Sequence, residues 1–236
     1  MKIQTILAAM GAAAVSLLAA QGAQAAAYAF TSAPDSEPGQ QTLGFTFSVN
    51  QTFTVTSLGF YDDNGDGFIS PHEVGIYAGD GLVAPGALLA ITTLAAGKSG
   101  TLGANDFRYQ AITPVTLIAG QSYTVAGLSP NYSTANDPFV YGGPNEIKGM
   151  SVSPWINIAV GAARFAFYTP SLVDPSLVYS NEFQIYAVDF DGPGLVAPAL
   201  RGAVPEPATW AMLLVGFGGV GGMMRRARRG GLLAAG

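Results

Sequence analysis

From Leu43 onward the chain alternates apolar and polar side chains in short runs, most of them closed by glycine, proline, asparagine or aspartate, and this punctuation narrows the folds open to it. LGFTFSV sets Leu43, Phe45, Phe47 and Val49 on one face, the period of a half-buried strand. FTVTSLGFY follows an Asn50-Gln51 turn, and its apolar set shifts from Phe53 and Val55 to Leu58 and Phe60, which predicts a bulge near Ser57. EVGIYA, ALLAITTL, DFRYQAI, PVTLIA and QSYTVAGL continue the pattern. Beyond an irregular stretch from Ser129 to Pro154 come WINIAV, ARFAFY and EFQIYAVDF. Roughly ten strands, with turns every ~8–12 residues and no uninterrupted helical period, predict one all-β domain, an antiparallel sandwich or jelly roll.

Composition removes several chemistries. The chain has no cysteine, so disulfides, thiol nucleophiles and thiolate metal sites are excluded and the core must hold without covalent help. Its single histidine, His72, excludes multi-histidine zinc sites and allows a Ser-His-Asp triad only with His72 as the base. No G-x-S-x-G segment accompanies it, so His72 is expected to face solvent. Residues 26–204 hold 5 basic against 14 acidic side chains, a net of −9, and such a surface repels nucleic acid.

Both ends read as targeting segments. Met1–Ala25 carries Lys2, an apolar run from Ile6 to Ala20 and the small-x-small triplet Ala23-Gln24-Ala25, the pattern of a secretory signal peptide cut by signal peptidase. At the other end AVPEPATWAMLLVGFGGVGGMMRRARR places Pro205, Glu206 and Pro207 before an apolar stretch from Ala208 to Met224, followed by Arg225, Arg226, Arg228 and Arg229. The stretch is near the lower length limit of a membrane-spanning helix, and the arginines after it should stay cytoplasmic.

This C-terminal end resembles the PEP-CTERM sorting signal of Gram-negative bacteria. The triplet, the W-A-M-L-L-x-G-F-G-x-x-G core and the arginine cluster stand in that family's order. The resemblance implies recognition at Pro205–Pro207 by an exosortase, a transient inner-membrane anchor at Ala208–Met224 and export from a species that makes exopolysaccharide. A fainter resemblance covers residues 42–128, whose strands close on A-G-Q-x-Y like a β-sandwich module of unknown function found in such exported proteins. The expected division is a signal peptide over 1–25, the sandwich over 26–194, a Pro/Ala/Gly linker over 195–204, the sorting signal over 205–229 and a short tail over 230–236.

One loop carries a candidate metal site. DDNGDGFISPHE, residues 62–73, fills the ligand positions of a twelve-residue EF-hand loop with Asp62, Asn64, Asp66, the Phe68 carbonyl, Ser70 and Glu73, and Gly67 stands at the sharp bend. The flanks alternate at period two and Pro71 removes a donor where an exiting helix would begin, so a helix–loop–helix is not expected. A strand-flanked loop binding Ca²⁺ competes with a turn in which Asn64 and the glycines supply positive φ. Asp106, Asp137, Glu146, Asp174, Glu182, Asp189 and Asp191 could supply the carboxylate pair of a glycosidase, yet their spacing singles out no pair and most are expected to be loop acids. Trp155 is expected in the core, and Tyr132 and Tyr141 are candidates to stack on sugar rings.

The resulting expectation is an exported, non-enzymatic surface or matrix protein, calcium-stiffened and engaged in adhesion or exopolysaccharide association. A carbohydrate-binding module or weak hydrolase is the alternative. Its partners would be the secretion machinery, signal peptidase and exosortase.

Overall fold

The computed structural model describes residues 26–36, 39–103, 106–130, 137–142, 147–159, 161–178, 184–185, 187–193 and 195. They fall within the unit spanning Ala23–Arg201 and contain no α-helix. Eight strands carry the architecture: β1 (Gln41–Val49), β2 (Phe53–Tyr61), β3 (His72–Ala78), β4 (Leu88–Leu94), β5 (Phe107–Leu117), β6 (Ser122–Ser129), β7 (Ala163–Phe167) and β8 (Val188–Asp191). The larger main sheet runs β7-β1-β6-β3-β4 and is extended past β7 by Leu177–Val178; a second runs β8-β2-β5 and is extended past β5 by Thr101–Leu102, and two small sheets of short strands accompany them among the described residues. Every pairing is antiparallel, and the two sheets pack as the expected sandwich.

The alternation does what its period dictates. Leu43, Phe45, Phe47 and Val49 of β1 are all buried, as are Phe53, Val55, Leu58 and Phe60 of β2. Between the sheets Phe47 stacks on Phe190 with centroids 4.8 Å apart, and Phe53 lies parallel to Phe190 at 6.1 Å. Gly127 of β6 marks a close approach: a Cβ there would sit 2.5 Å from Val188 Cγ1 and 2.8 Å from the Phe60 ring. Trp155 is half-buried against Phe53, at the rim of the core, and directly precedes the short strand Ile156–Asn157.

The bulge predicted near Ser57 is present, where the β2–β5 register slips between Val55 and Ser57. It also explains a departure from expectation. DFRYQAI and PVTLIA form one eleven-residue strand, β5, because Pro114 falls in the unpaired stretch opposite the bulge. On its other side β5 is paired only at Arg108 and Tyr109, so the missing N–H of Pro114 breaks no ladder among the described residues. WINIAV contracts to Ile156–Asn157, and EFQIYAVDF divides into Gln184–Ile185 and β8.

The start of the described chain is woven into the sandwich. Tyr28–Ala29 pairs with Ser151–Val152, Ala26 forms a bridge with Asp191, and Ala26–Ala29 are all buried. The segments expected as signal peptide, Met1–Ala25, and as sorting signal, 205–229, lie outside the described residues. No described helix is long and apolar enough to cross a membrane.

Candidate functional site

The acidic loop joins β2 to β3, strands of different sheets, so it crosses the edge of the sandwich rather than closing a hairpin. Its turn chemistry is as the residues suggest: Asn64 and Gly65 adopt φ of 60° and 64°, and Gly67 adopts 101°. A Cβ on Gly67 would lie 2.9 Å from the Gly97 carbonyl carbon, so the loop can press against residues 97–98 only as glycine.

Arg108, from β5, closes the loop. Phe60 and Tyr61 stand opposite Arg108 and Phe107, which brings Asp62 beside the guanidinium. Arg108 donates to Asp62 Oδ2 from Nε at 2.7 Å, Nη2 lies 2.5 Å from the same oxygen as an ion pair, and both side chains are buried. The same guanidinium reaches the Lys98 carbonyl at 3.1 Å and the Gly65 carbonyl at 3.3 Å, while Asp62 Oδ1 accepts the Gly67 N–H at 2.9 Å. One cation therefore ties three stretches of backbone together.

Several of the six residues expected as calcium ligands are engaged in other bonds. Asp62 is occupied by Arg108 and Gly67, the Phe68 carbonyl accepts the Gly97 N–H at 2.7 Å, and Glu73 Oε2 accepts the Leu172 N–H at 3.2 Å. The Asn64 amide donates to its neighbour Asp63 at 2.7 Å, and the Ser70 N–H is held by Asp137 at 3.2 Å. Asp66 alone lines the adjacent cleft without such a bond to its carboxylate among those described, and among the described residues no three His, Cys, Asp or Glu side chains are placed to share an ion. That cleft, about 360 Å³, is lined by Asp62, Asp63, Asp66 and Asp137 together with Gly67 and Ile69.

His72 departs from its expected place. It is buried rather than solvent-facing, sandwiched by Phe60 at 4.1 Å with the rings 16° from parallel and by the edge of Phe68 at 4.9 Å. Its Nδ1 donates to the Leu128 carbonyl at 3.0 Å, which can only accept, and Nε2 meets Asp137 Oδ2 at 2.8 Å. Both nitrogens face acceptors, so neither is left to take a proton from a serine or water. Burial alone would raise the Asp137 acid, but the His72 bond and the Ile69 and Ser70 N–H groups, at 2.8 and 3.2 Å, hold it below the ordinary carboxylate range. Asp137 thereby clamps the loop from a segment 65 residues further along.

A further buried carboxylate sits in β8. Asp189 Oδ2 accepts the Tyr109 hydroxyl at 2.7 Å, and Oδ1 accepts the Phe190 N–H at 2.8 Å and the Ala27 N–H at 3.0 Å. Asp189, Gly59 and Tyr109 lie in one row across β8, β2 and β5, and a Cβ on Gly59 would fall 2.8 Å from the Tyr109 ring. The glycine is what lets the phenol cross its neighbour to reach the acid. Burial with neutral partners pushes Asp189 up to about 8, and burial beside Asp189 drives Tyr109 well above the ordinary phenol range.

Of these candidate acids Asp106, Asp137 and Asp174 lie in loops as expected, whereas Asp189 and Asp191 belong to β8; Asp137, Asp174 and Asp189 are nonetheless buried and bonded. Glu146 and Glu182 lie outside the described residues, as do Tyr132, the sorting residues Pro205, Glu206 and Pro207, and Arg225, Arg226, Arg228 and Arg229. Tyr141 belongs to the strand Phe139–Gly142, opposite Ile185. Arg108 and Tyr109, which matter most to the geometry, were not singled out by sequence. The available signal was a lone cation inside an apolar alternating run, DFRYQAI, and a lone acid inside YAVDF.

Comparison with known proteins bears on the C-terminal end. A family model for the PEP-CTERM protein-sorting motif matches residues 203–229. No curated protein matches the chain. The match covers the triplet, the apolar stretch and the arginine cluster, so this chain carries a PEP-CTERM sorting signal and is an exported protein, held transiently in the membrane by its C-terminal region before release.

Proposed function

We propose that the released domain is a non-enzymatic structural or adhesive protein of the cell surface or extracellular matrix, associated with exopolysaccharide. The observation that carries this reading is how the ionisable groups are used. Arg108–Asp62, His72–Asp137 and Tyr109–Asp189 each join separate chain segments inside the fold, and Asp62 and Asp137, although they border the acidic cleft, are already bonded to these partners. Such an arrangement suits a rigid module better than a catalyst, and the sorting signal delivers it to the outside.

The test is fractionation of the producing cells together with a pull-down on their own exopolysaccharide. Recovery in the surface or matrix fraction, with hydrolysis of neither polymer nor model glycosides, supports the reading. Turnover of a glycan that disappears with a carboxylate substitution overturns it. Saturable sugar binding lost on substitution of Tyr132 or Tyr141 would instead favour the carbohydrate-binding alternative.

Calcium has one foothold in this reading, the acidic cleft where Asp63 and Asp66 stand beside the closed loop. An ion held there raises the melting temperature of the exported chain, and Asp66→Ala abolishes the rise. Identical melting with and without calcium removes the ion from the reading.

A further inference from the structure

The stretch Ala26–Ala29 is built into the sandwich by backbone and side-chain bonds. Ala26 stands opposite Asp191 in an antiparallel bridge. The Ala27 N–H is shared between the Phe190 carbonyl at 3.1 Å and Asp189 Oδ1 at 3.0 Å, and the Ala27 carbonyl accepts the Ser153 N–H at 2.8 Å. Tyr28, fully buried, donates its hydroxyl to the Val188 carbonyl at 3.1 Å. Ala26 is also the residue that follows the small-x-small triplet Ala23-Gln24-Ala25. The inference below rests on the reading that signal peptidase cuts there.

Asp189 is a fully buried carboxyl whose partners are two backbone N–H groups and a phenol, all of them neutral. Burial of an acid without a cation is costly, and the result is an acid pushed up to about 8, protonated at neutral pH. The Ala26 nitrogen lies one residue upstream of the amide that touches Oδ1, and consecutive residues are only about 3.8 Å apart. The Ala27-to-Phe190 bond flanks the Ala26–Asp191 pair, which makes it the narrow kind of antiparallel pair with Cα atoms roughly 4.5 Å apart. Asp189, bonded to the next amide along, and Asp191, paired with Ala26 across the bridge, are thus the acids that stand beside the nitrogen of a new chain terminus.

We propose that cleavage after Ala25 closes a lock: the α-ammonium group of Ala26 seats against the carboxylates of Asp189 and Asp191, so the sandwich reaches full stability only in the processed chain. In the precursor that nitrogen is a neutral amide. Hydrolysis adds the hydroxyl of water to the Ala25 carbonyl carbon, breaks the C–N bond and leaves a hydrogen on the Ala26 nitrogen. At neutral pH the new acid sheds a proton and the new amine takes one up. The buried carboxyl then gains the cation it lacked. A sandwich incomplete before cleavage is also easier to keep unfolded for passage through the membrane.

The test is a four-way cycle on the exported protein recovered from its host. The natural mature chain is compared with one cut three residues earlier, which keeps Ala23-Gln24-Ala25, each with and without Asp189→Asn. The chain beginning at Ala26 is expected to melt roughly 5 °C or more above the extended one, and Asp189→Asn should remove that difference. Where Asp189→Asn fails to fold, Asp191→Asn, at a partly exposed position, should shrink the difference instead. A second readout is the pH profile. In the extended chain Asp189, faced by Tyr109 and Asp191, with Tyr28 beside Tyr109, keeps its raised acid, so its stabilising proton is lost and stability falls as pH rises from about 4 to about 8. The native-start chain should lack that fall. Equal melting from Ala26 and from Ala23 overturns the lock alone; a mature terminus at any residue other than Ala26, read by mass spectrometry, overturns the cleavage reading with it.

Discussion

His72 and Asp137 are 65 residues apart, and the fold buries them against each other under the ring of Phe60. Removing the imidazole leaves a buried carboxylate with only two N–H donors, so His72→Ala should cost about 3–5 kcal/mol, the usual penalty for breaking a buried pair from one side. Denaturant midpoints measure it, and an unchanged midpoint would contradict the clamp. The acid side titrates in a stated direction. Asp137 is held below its ordinary value of 3.8, so its contribution is complete above that value and is lost as pH falls through the lower, folded one. Melting temperature should therefore drop below about pH 4, and Asp137→Asn should remove that part of the drop. None of this was readable from the residues in order. A lone histidine in an acidic loop carries no mark of its partner, because the partner arrives on another segment and burial is a property of the closed sandwich.

The β2–β3 connection shows which local rules hold and which tertiary contacts replace them. Asn64, Gly65 and Gly67 take the positive φ that their types permit, as the turn reading expects. The ligand spacing of an EF-hand is also present, yet spacing alone does not aim oxygens. Arg108, brought alongside by strand pairing, takes Asp62, and Glu73 turns towards the Leu172 amide. Arg108→Ala should therefore open the loop and destabilise the domain by about 3–5 kcal/mol, with new proteolytic cuts between Asp62 and Pro71. Cleavage elsewhere, with the loop still protected, would show that other bonds hold it. Arg108→Lys should recover only part of the loss, since a single ammonium cannot reproduce a fork that reaches Asp62, Lys98 and Gly65 together. One row over, Gly59→Ala places a methyl against the Tyr109 ring and should cost about 1–3 kcal/mol while breaking the Tyr109–Asp189 bond, a change visible in the phenol's ultraviolet titration.

At the scale of the whole molecule, the sorting motif at 203–229 sets the fate of the chain. Replacing Pro205–Pro207 with alanines should leave the full-length protein in the membrane fraction, and removing Arg225–Arg229 should impair its placement there; immunoblots of fractionated cells read both. Release of an unshortened chain by the triplet variant would contradict processing at that site. What the linear order of residues determined was the part of the structure governed by periodicity and short-range chemistry. Period-two alternation made the strands, the apolar shift at Ser57 marked the bulge, and a contiguous triplet, apolar stretch and arginine cluster named the destination. The tertiary structure alone decided which buried polar groups meet. Arg108 with Asp62, His72 with Asp137 and Tyr109 with Asp189 depend on strand register and on one sheet closing over another, and a buried polar group takes whichever partner that closure brings within about 3 Å, whatever its distance along the chain.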